Sequence, residues 1–178
     1  FLETEPFKDF PNLNQKVSKI ISILNIRDVK DRKPASFRLL TTSSLEVAKE
    51  IIEKLLIKSK IRKEKIGEIL EEVRKRISKK SEPIIFEGDS SFELTLVSSV
   101  ASIICKEYQK PTFLFKKMEK ESSGTVRAPK GIDSVSLMKK CKKYPLTYGG
   151  HPQAAGFRIK NESLEKFKEC LTKNICEK

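Results

Sequence analysis

The sequence predicts an α/β fold, a mixed β-sheet of about four to five strands flanked by helices and preceded by a long charged helix. Three observations carry this. Apolar residues between 45 and 77 recur at helical spacing, and the positions between them are filled with Lys, Arg and Glu. From Pro83 onward, short runs of Ile, Phe, Thr and Val alternate with helical patterns. The chain's 178 residues and 38% hydrophobic content are enough for one domain with an appended segment and a modest core.

Taken in order, Phe1, Phe7, Phe10 and Pro11 open the chain, and Val17, Ile20, Ile21, Ile23 and Leu24 predict a helix. The polar stretch 25–34 reads as a loop. Ser43 with Glu46 three residues later has the capping-box pattern, ahead of Leu45, Val47, Ala48, Ile51, Ile52 and Leu55 at helical spacing. The pattern resumes through Ile66, Ile69, Leu70, Val73 and Ile77, with Gly67 and the polar stretch 58–65 as the places for a kink or break. Its charged face reads first as solvated and only second as a track for nucleic acid. Residues 84–86 predict a strand, 92–108 a helix, 111–115 a second strand and 124–128 a third. A helix over 134–143 and a fourth strand over 154–159 follow. Asn161 or Ser163 caps a last helix through Leu164, Phe167 and Leu171.

Lys and Arg number 37 against 24 Asp and Glu, a net charge of +13, with an isoelectric point near 9.6. Such an excess attracts polyanions, nucleic acid first, because neutralised phosphates release their condensed counterions. The alternative is a lysine-rich surface set by composition alone. A membrane surface is disfavoured, since the chain has no Trp and no apolar run long enough to cross a bilayer. With no leader pattern, the cytoplasm is the expected location. A first residue of Phe1 rather than Met leads to the expectation of a fragment or processed chain. Cys105, Cys141, Cys170 and Cys176 are scattered without a Cys-x-x-Cys pair, so they are expected as small hydrophobes with no zinc site and no disulfide framework.

The run Gly149-Gly150-His151-Pro152-Gln153-Ala154-Ala155-Gly156-Phe157 contains the only histidine. A glycine pair lets the main chain approach a ligand, so its amides and the imidazole can face one anion. A plain glycine-rich turn with a surface His is the other reading. Upstream stands Gly124-Thr125-Val126-Arg127-Ala128-Pro129-Lys130-Gly131-Ile132-Asp133. The first run is similar to the Gly-Gly-His-x-x-Ala-Ala-Gly signature of the DHH-associated domain, the C-terminal half of DHH-family phosphoesterases. The second resembles that family's arginine-bearing strand with its glycine turn and helix. Arg38-Leu39-Leu40-Thr41-Thr42 with the charged helix resembles the connector of RecJ-like members, and residues 23–27 are similar to the end of their catalytic domain.

The resemblance implies an N-terminal lead over 1–42, a connector helix over 43–80 and a DHH-associated substrate-binding domain over 81–178. It implies the nucleic-acid-binding part of a RecJ-like single-stranded DNA exonuclease, whose two manganese ions sit on an N-terminal catalytic domain. Arg127 matches the family arginine that holds a substrate phosphate, and a planar guanidinium has the fork for it. Gly149, Gly150 and His151 match the motif that covers the neighbouring phosphate. Thr125 is a candidate hydroxyl contact, although Thr is also a good strand former, and Lys130 is a further candidate phosphate contact. A surface ion pair is the alternative for Arg127, and general acid catalysis for His151, which has no nearby carboxylate in sequence to orient it. Tyr144 and Tyr148 either stack on a base or pack under the loop.

Neither a catalytic residue nor a metal site is expected within the chain. Two-metal hydrolysis needs clustered carboxylates and imidazoles, whereas Asp9, Asp28, Asp31, Asp89 and Asp133 are scattered. The expected partner is single-stranded nucleic acid, DNA ahead of RNA, with replication or repair proteins beside it. Ser90-Ser91-Phe92-Glu93-Leu94 departs from the glycine-rich, tryptophan-containing segment of bacterial members and fits an archaeal relative. Other readings are an inactive RecJ-like replication factor of the archaeal helicase complex, an oligoribonucleotide or cyclic-dinucleotide phosphodiesterase, and the related domain of alanyl-tRNA synthetases. The long connector argues against the last two.

Overall fold

The computed structural model describes residues 11–26 and 28–176, and the chain divides into two compact units, Phe1–Glu64 and Lys65–Lys178. In the first unit, helix α1 (Leu13–Leu24) starts at Asn12, whose side-chain oxygen accepts from the Gln15 amide at 2.9 Å. The stretch read as a loop contains a small antiparallel pair, β1 (Val29–Lys30) and β2 (Lys33–Pro34). Asp31 and Arg32 at its tip have φ of 52° and 61°, the left-handed backbone that a two-residue turn between paired strands requires. No glycine announces that turn. Helix α2 (Ala35–Thr41) follows, and Ile23, Ala35, Ile51, Ile52 and Leu55 form this unit's core.

Helix α3 (Leu45–Ile77) runs 33 residues without interruption through Gly67, so the helix is not broken there. The division between the two units falls within it, after Glu64. Its cap is Ser44 and not Ser43: because the helix begins at Leu45, the Ser44 hydroxyl is the one that accepts from the Val47 amide, at 3.3 Å, and donates to Glu46 at 2.9 Å.

The second unit contains β3 (Ile85–Asp89), α4 (Leu94–Tyr108), β4 (Thr112–Lys117), β5 (Glu121–Arg127), α5 (Ser134–Lys140), β6 (Pro145–His151) and β7 (Ala154–Lys160). A short 3₁₀ turn, Asn161–Ser163, then leads into α6 (Leu164–Cys176). The strands form one sheet in the order β3-β4-β5-β7-β6, with β3 and β4 parallel and every other pair antiparallel. This is the mixed sheet the sequence predicts. Strand β6 is the fifth, and it takes in Gly149, Gly150 and His151, which the sequence reads as a turn. Glycine weakens a strand's own preference, so β6 is held by pairing with β7, in which Gly149 faces Gly156 and His151 faces Ala154.

The sheet is covered differently on its two faces. Phe86, Phe113, Phe115, Phe157 and Ile159 point to one side, where α5 and α6 close over them with Leu137, Met138, Phe167 and Leu171. Ring centroids in this layer lie 5.0–6.2 Å apart. On the other side, Ile85 and Leu114 are buried under Ile69, Leu70, Val73 and Ile77 of α3 and Leu96, Val97, Val100 and Ile104 of α4. Arg76 of α3 ties to Asp89 at the end of β3 at 2.7 Å. The Ser91 amide and then Arg76 hold the Asp89 carboxyl well below the usual carboxylate range.

The expectation of four thiols and no disulfide fails. Cys141, just after α5, is bonded to Cys170 on α6, with Cα atoms 6.0 Å apart. The two are 29 residues apart in sequence and meet because α5 and α6 pack side by side. Cys105 is buried, as a small hydrophobe should be, and Cys176 is exposed.

Candidate nucleic-acid interface

Residues directly opposite each other in antiparallel strands share a face of the sheet. Arg127 on β5 pairs with Ala154 on β7, which pairs with His151 on β6. The next row is Thr125, Gly156 and Gly149. Arg127 and His151 therefore stand on one face in one row, two strand spacings or about 10 Å apart. Helix α4 lies over β4 and β5 on this face. On β7 and β6 the floor between the two side chains is made of Ala154, Gly156 and Gly149, so it is nearly bare of side chains. His151 is exposed at its far edge.

Arg127 is half-buried, and its acceptors are all neutral. Nε donates to Ser102 Oγ at 3.1 Å, Nη1 to Thr125 Oγ1 at 2.7 Å and to the Val126 carbonyl at 2.8 Å, and Nη2 to Ser98 Oγ. Among the described residues no carboxylate lies within ion-pair distance of it. Burial pushes its pKa below the ordinary arginine value, opposed only by Cys105, yet a guanidinium stays charged at neutral pH. Arg158, on the same face of β7, is paired with Glu121 at 3.2 Å. Arg127 is thus a half-buried cation that no carboxylate among the described residues balances, and a charge of that kind favours an anion.

The two glycines of β6 serve different ends. Gly150 has φ of 140°, and a Cβ there would stand 2.5 Å from the Ala154 carbonyl oxygen and 2.7 Å from Ala155 Cα, so the fold itself demands glycine. A Cβ at Gly149 would meet nothing within 4 Å. The fold has no need of glycine there, and what its absence of side chain provides is open space over the floor. The hairpin tip is fixed from behind. The Ser134 amide and hydroxyl both donate to the Pro152 carbonyl, at 2.8 and 2.7 Å, and the Ala128 amide donates to the Gln153 carbonyl at 3.1 Å. Asp133 caps α5 by accepting from the amides of Val135 and Ser136 at 2.9 and 3.0 Å.

Of the residues singled out in the sequence, Arg127, Thr125, Gly149 and His151 come together on this face. Gly150 shapes the strand beneath them. The Thr125 hydroxyl donates to the Ala155 carbonyl at 3.2 Å while accepting from Arg127, so its contact is with the arginine. Lys130 is exposed in the turn between β5 and α5, the loop that clamps the hairpin tip. Tyr144 and Tyr148 are partly buried against the aromatic core, which is the packing alternative. Sequence reasoning missed Ser98 and Ser102. Their signal is two hydroxyls at i,i+4 spacing on α4, beside the apolar positions Val97, Ala101 and Cys105.

The DHHA1 domain matches residues 82–177, more than half of the chain. The chain belongs to this family. No curated protein matches it in sequence. Its DHHA1 domain with the preceding elements is similar to RecJ from Thermus thermophilus in complex with Mn2+, at 25% identity and a TM-score of 0.71, covering 81% of this chain and 22% of that one. The Mg2+ complex of the same protein gives 23% identity and a TM-score of 0.71, covering 81% and 23%. An exonuclease RecJ bound to manganese gives 24% identity and a TM-score of 0.68, covering 79% and 35%. The chain therefore spans between 22% and 35% of the length of these structures, and its fold is RecJ-like.

Those structures hold Mg2+ or manganese. Among the described residues of this DHHA1 domain chain, no three His, Cys, Asp or Glu side chains are grouped so as to hold a metal ion, so the donor set present does not fit one. Among the same residues no helix is long and apolar enough to cross a membrane.

Proposed function

We propose that this DHHA1 domain grips single-stranded nucleic acid, DNA ahead of RNA, as the substrate-binding part of a RecJ-like phosphoesterase. The observation that carries the reading is the half-buried Arg127 guanidinium, without a counter-charge, at the rim of a floor made of Ala154, Gly156 and Gly149. A phosphodiester is a compact anion that can lie against bare backbone, and the guanidinium would attract it by charge and by a charge-assisted hydrogen bond. His151 would contact a neighbouring phosphate across the floor, and exposed edge-strand groups at Gly149 and Gly150 would line its path. Thr125 would hold the arginine in place. Lys130 would add long-range attraction, in keeping with the net charge of +13.

In this reading phosphodiester hydrolysis falls to a separate catalytic domain, where two manganese ions would lower the pKa of a bound water and offset charge on the leaving group. The DHHA1 domain contributes positioning, holding a phosphate still while the neighbouring bond is cut. Replication or repair proteins in the cytoplasm are its expected company.

Binding of a labelled single-stranded oligonucleotide tests this. Arg127→Ala is expected to weaken affinity by about 10- to 100-fold and His151→Ala by about threefold to tenfold, both with the fold retained. Affinity should fall steeply with salt in the parent chain. Unchanged affinity in both variants would sink the proposal.

A further inference from the structure

We infer that Ser98 is a phosphate-binding residue of the Arg127 site. The inference rests on the function proposed above and follows from where each donor goes. A guanidinium has five N–H donors. Four are placed: on Ser102 Oγ, Thr125 Oγ1, the Val126 carbonyl and Ser98 Oγ. One Nη2 N–H has no acceptor among the described residues.

The three hydroxyls that receive these bonds each have a proton of their own to place. Thr125 donates to the Ala155 carbonyl at 3.2 Å, and Ser102 donates to the Ser98 carbonyl one helical turn back at 2.9 Å. Both are thereby committed as holders of the arginine. Ser98 is different: it accepts from Nη2, and its own O–H has no acceptor among the described residues. The two donors left over at this site are therefore the second N–H of Nη2 and the hydroxyl of Ser98, on groups already in direct contact.

Two adjacent donors without acceptors, one of them charged, are the recognition chemistry of an anion oxygen. The Nε–Nη2 edge is also the edge of a guanidinium that grips an anion side-on, and here the oxygens of Ser102 and Ser98 occupy it. A phosphate arriving over the Gly149–Gly156 floor would meet the remaining Nη2 N–H and the Ser98 O–H together. Ser98 then donates to the phosphate while still accepting from the arginine, so the anion gains a hydrogen bond and Arg127 keeps its position.

The test uses the whole chain and a fluorescent single-stranded oligothymidylate titrated at several salt concentrations. Ser98→Ala is expected to bind about tenfold more weakly, with an unchanged melting temperature because Ala suits a helix. Ser98→Thr, which keeps a hydroxyl, should stay within about twofold of the parent chain. Since Ser98 is neutral, its loss leaves the slope of log affinity against log salt as it was, whereas Arg127→Ala lowers that slope by about one. Parental affinity in Ser98→Ala beside weakened binding in Arg127→Ala overturns the Ser98 assignment and leaves the proposed function standing. Equal weakening in Ser98→Ala and Ser98→Thr marks a packing role and overturns it too. Parental affinity in both Ser98→Ala and Arg127→Ala removes the proposed function with it.

Discussion

The two faces of the five-stranded sheet are built to opposite ends. One is sealed by Phe86, Phe113, Phe115, Phe157 and Phe167, buried side chains whose rings meet edge to face or at a tilt. The other is sealed only as far as α4 reaches, and beyond it β7 and β6 offer Ala154, Gly156 and Gly149. On the proposed function, the difference marks where stability ends and binding begins. Large apolar side chains gain by leaving water, whereas a surface that must meet a phosphate gains by having no side chain in the way. Arg127 stands at the seam, held by α4 on one side and open to the bare floor on the other.

Substitutions on the sealed face should act on stability alone. Phe113→Ala removes a fully buried ring in contact with three others and should lower the unfolding free energy by about 3–5 kcal/mol in a denaturant titration. A loss under about 1 kcal/mol would mean that the aromatic layer does not hold the domain. Gly150→Ala comes next, at about 2 kcal/mol, because both its φ of 140° and the 2.5 Å approach to the Ala154 oxygen oppose a side chain. Parental stability in that variant would erase the contrast between the two glycines.

A smaller effect sits at the far end of the sheet. The Asp89 carboxyl is held down by the Ser91 amide and Arg76, so its contribution is present above the ordinary carboxylate pKa of about 4 and is lost as the pH falls below it. Asp89→Asn should thus cost under about 1 kcal/mol at pH 7, given the partial exposure of the pair, and progressively less as the pH falls below about 4. A difference that grew on acidification would reverse the sign of this account.

Much of the sheet was legible because β3, β4, β5 and β7 place apolar residues on the sealed face, where burial forces a pattern. Strand β6 was not, since Thr147, Gly149 and His151 face solvent and Gly150 has no side chain to show. The same lack of side chains that hid the strand makes it a candidate floor. Arg127 and His151 were legible as residues, but the neutral setting of Arg127 was not. Its partners Ser98 and Ser102 come from α4, 29 and 25 residues away, and only the packing of α4 on β5 brings them there. The Cys141–Cys170 bond was hidden for the same reason, as a contact between helices rather than a motif.

Gly149 separates binding from folding more cleanly than any other position, because a side chain there has room and no backbone strain to meet. The decisive measurement is the affinity of Gly149→Val for single-stranded DNA alongside its melting temperature. A bare phosphate-binding floor predicts parental melting and binding weaker by about tenfold, as a branched side chain rises where the strand must lie. Parental melting with parental affinity would contradict it.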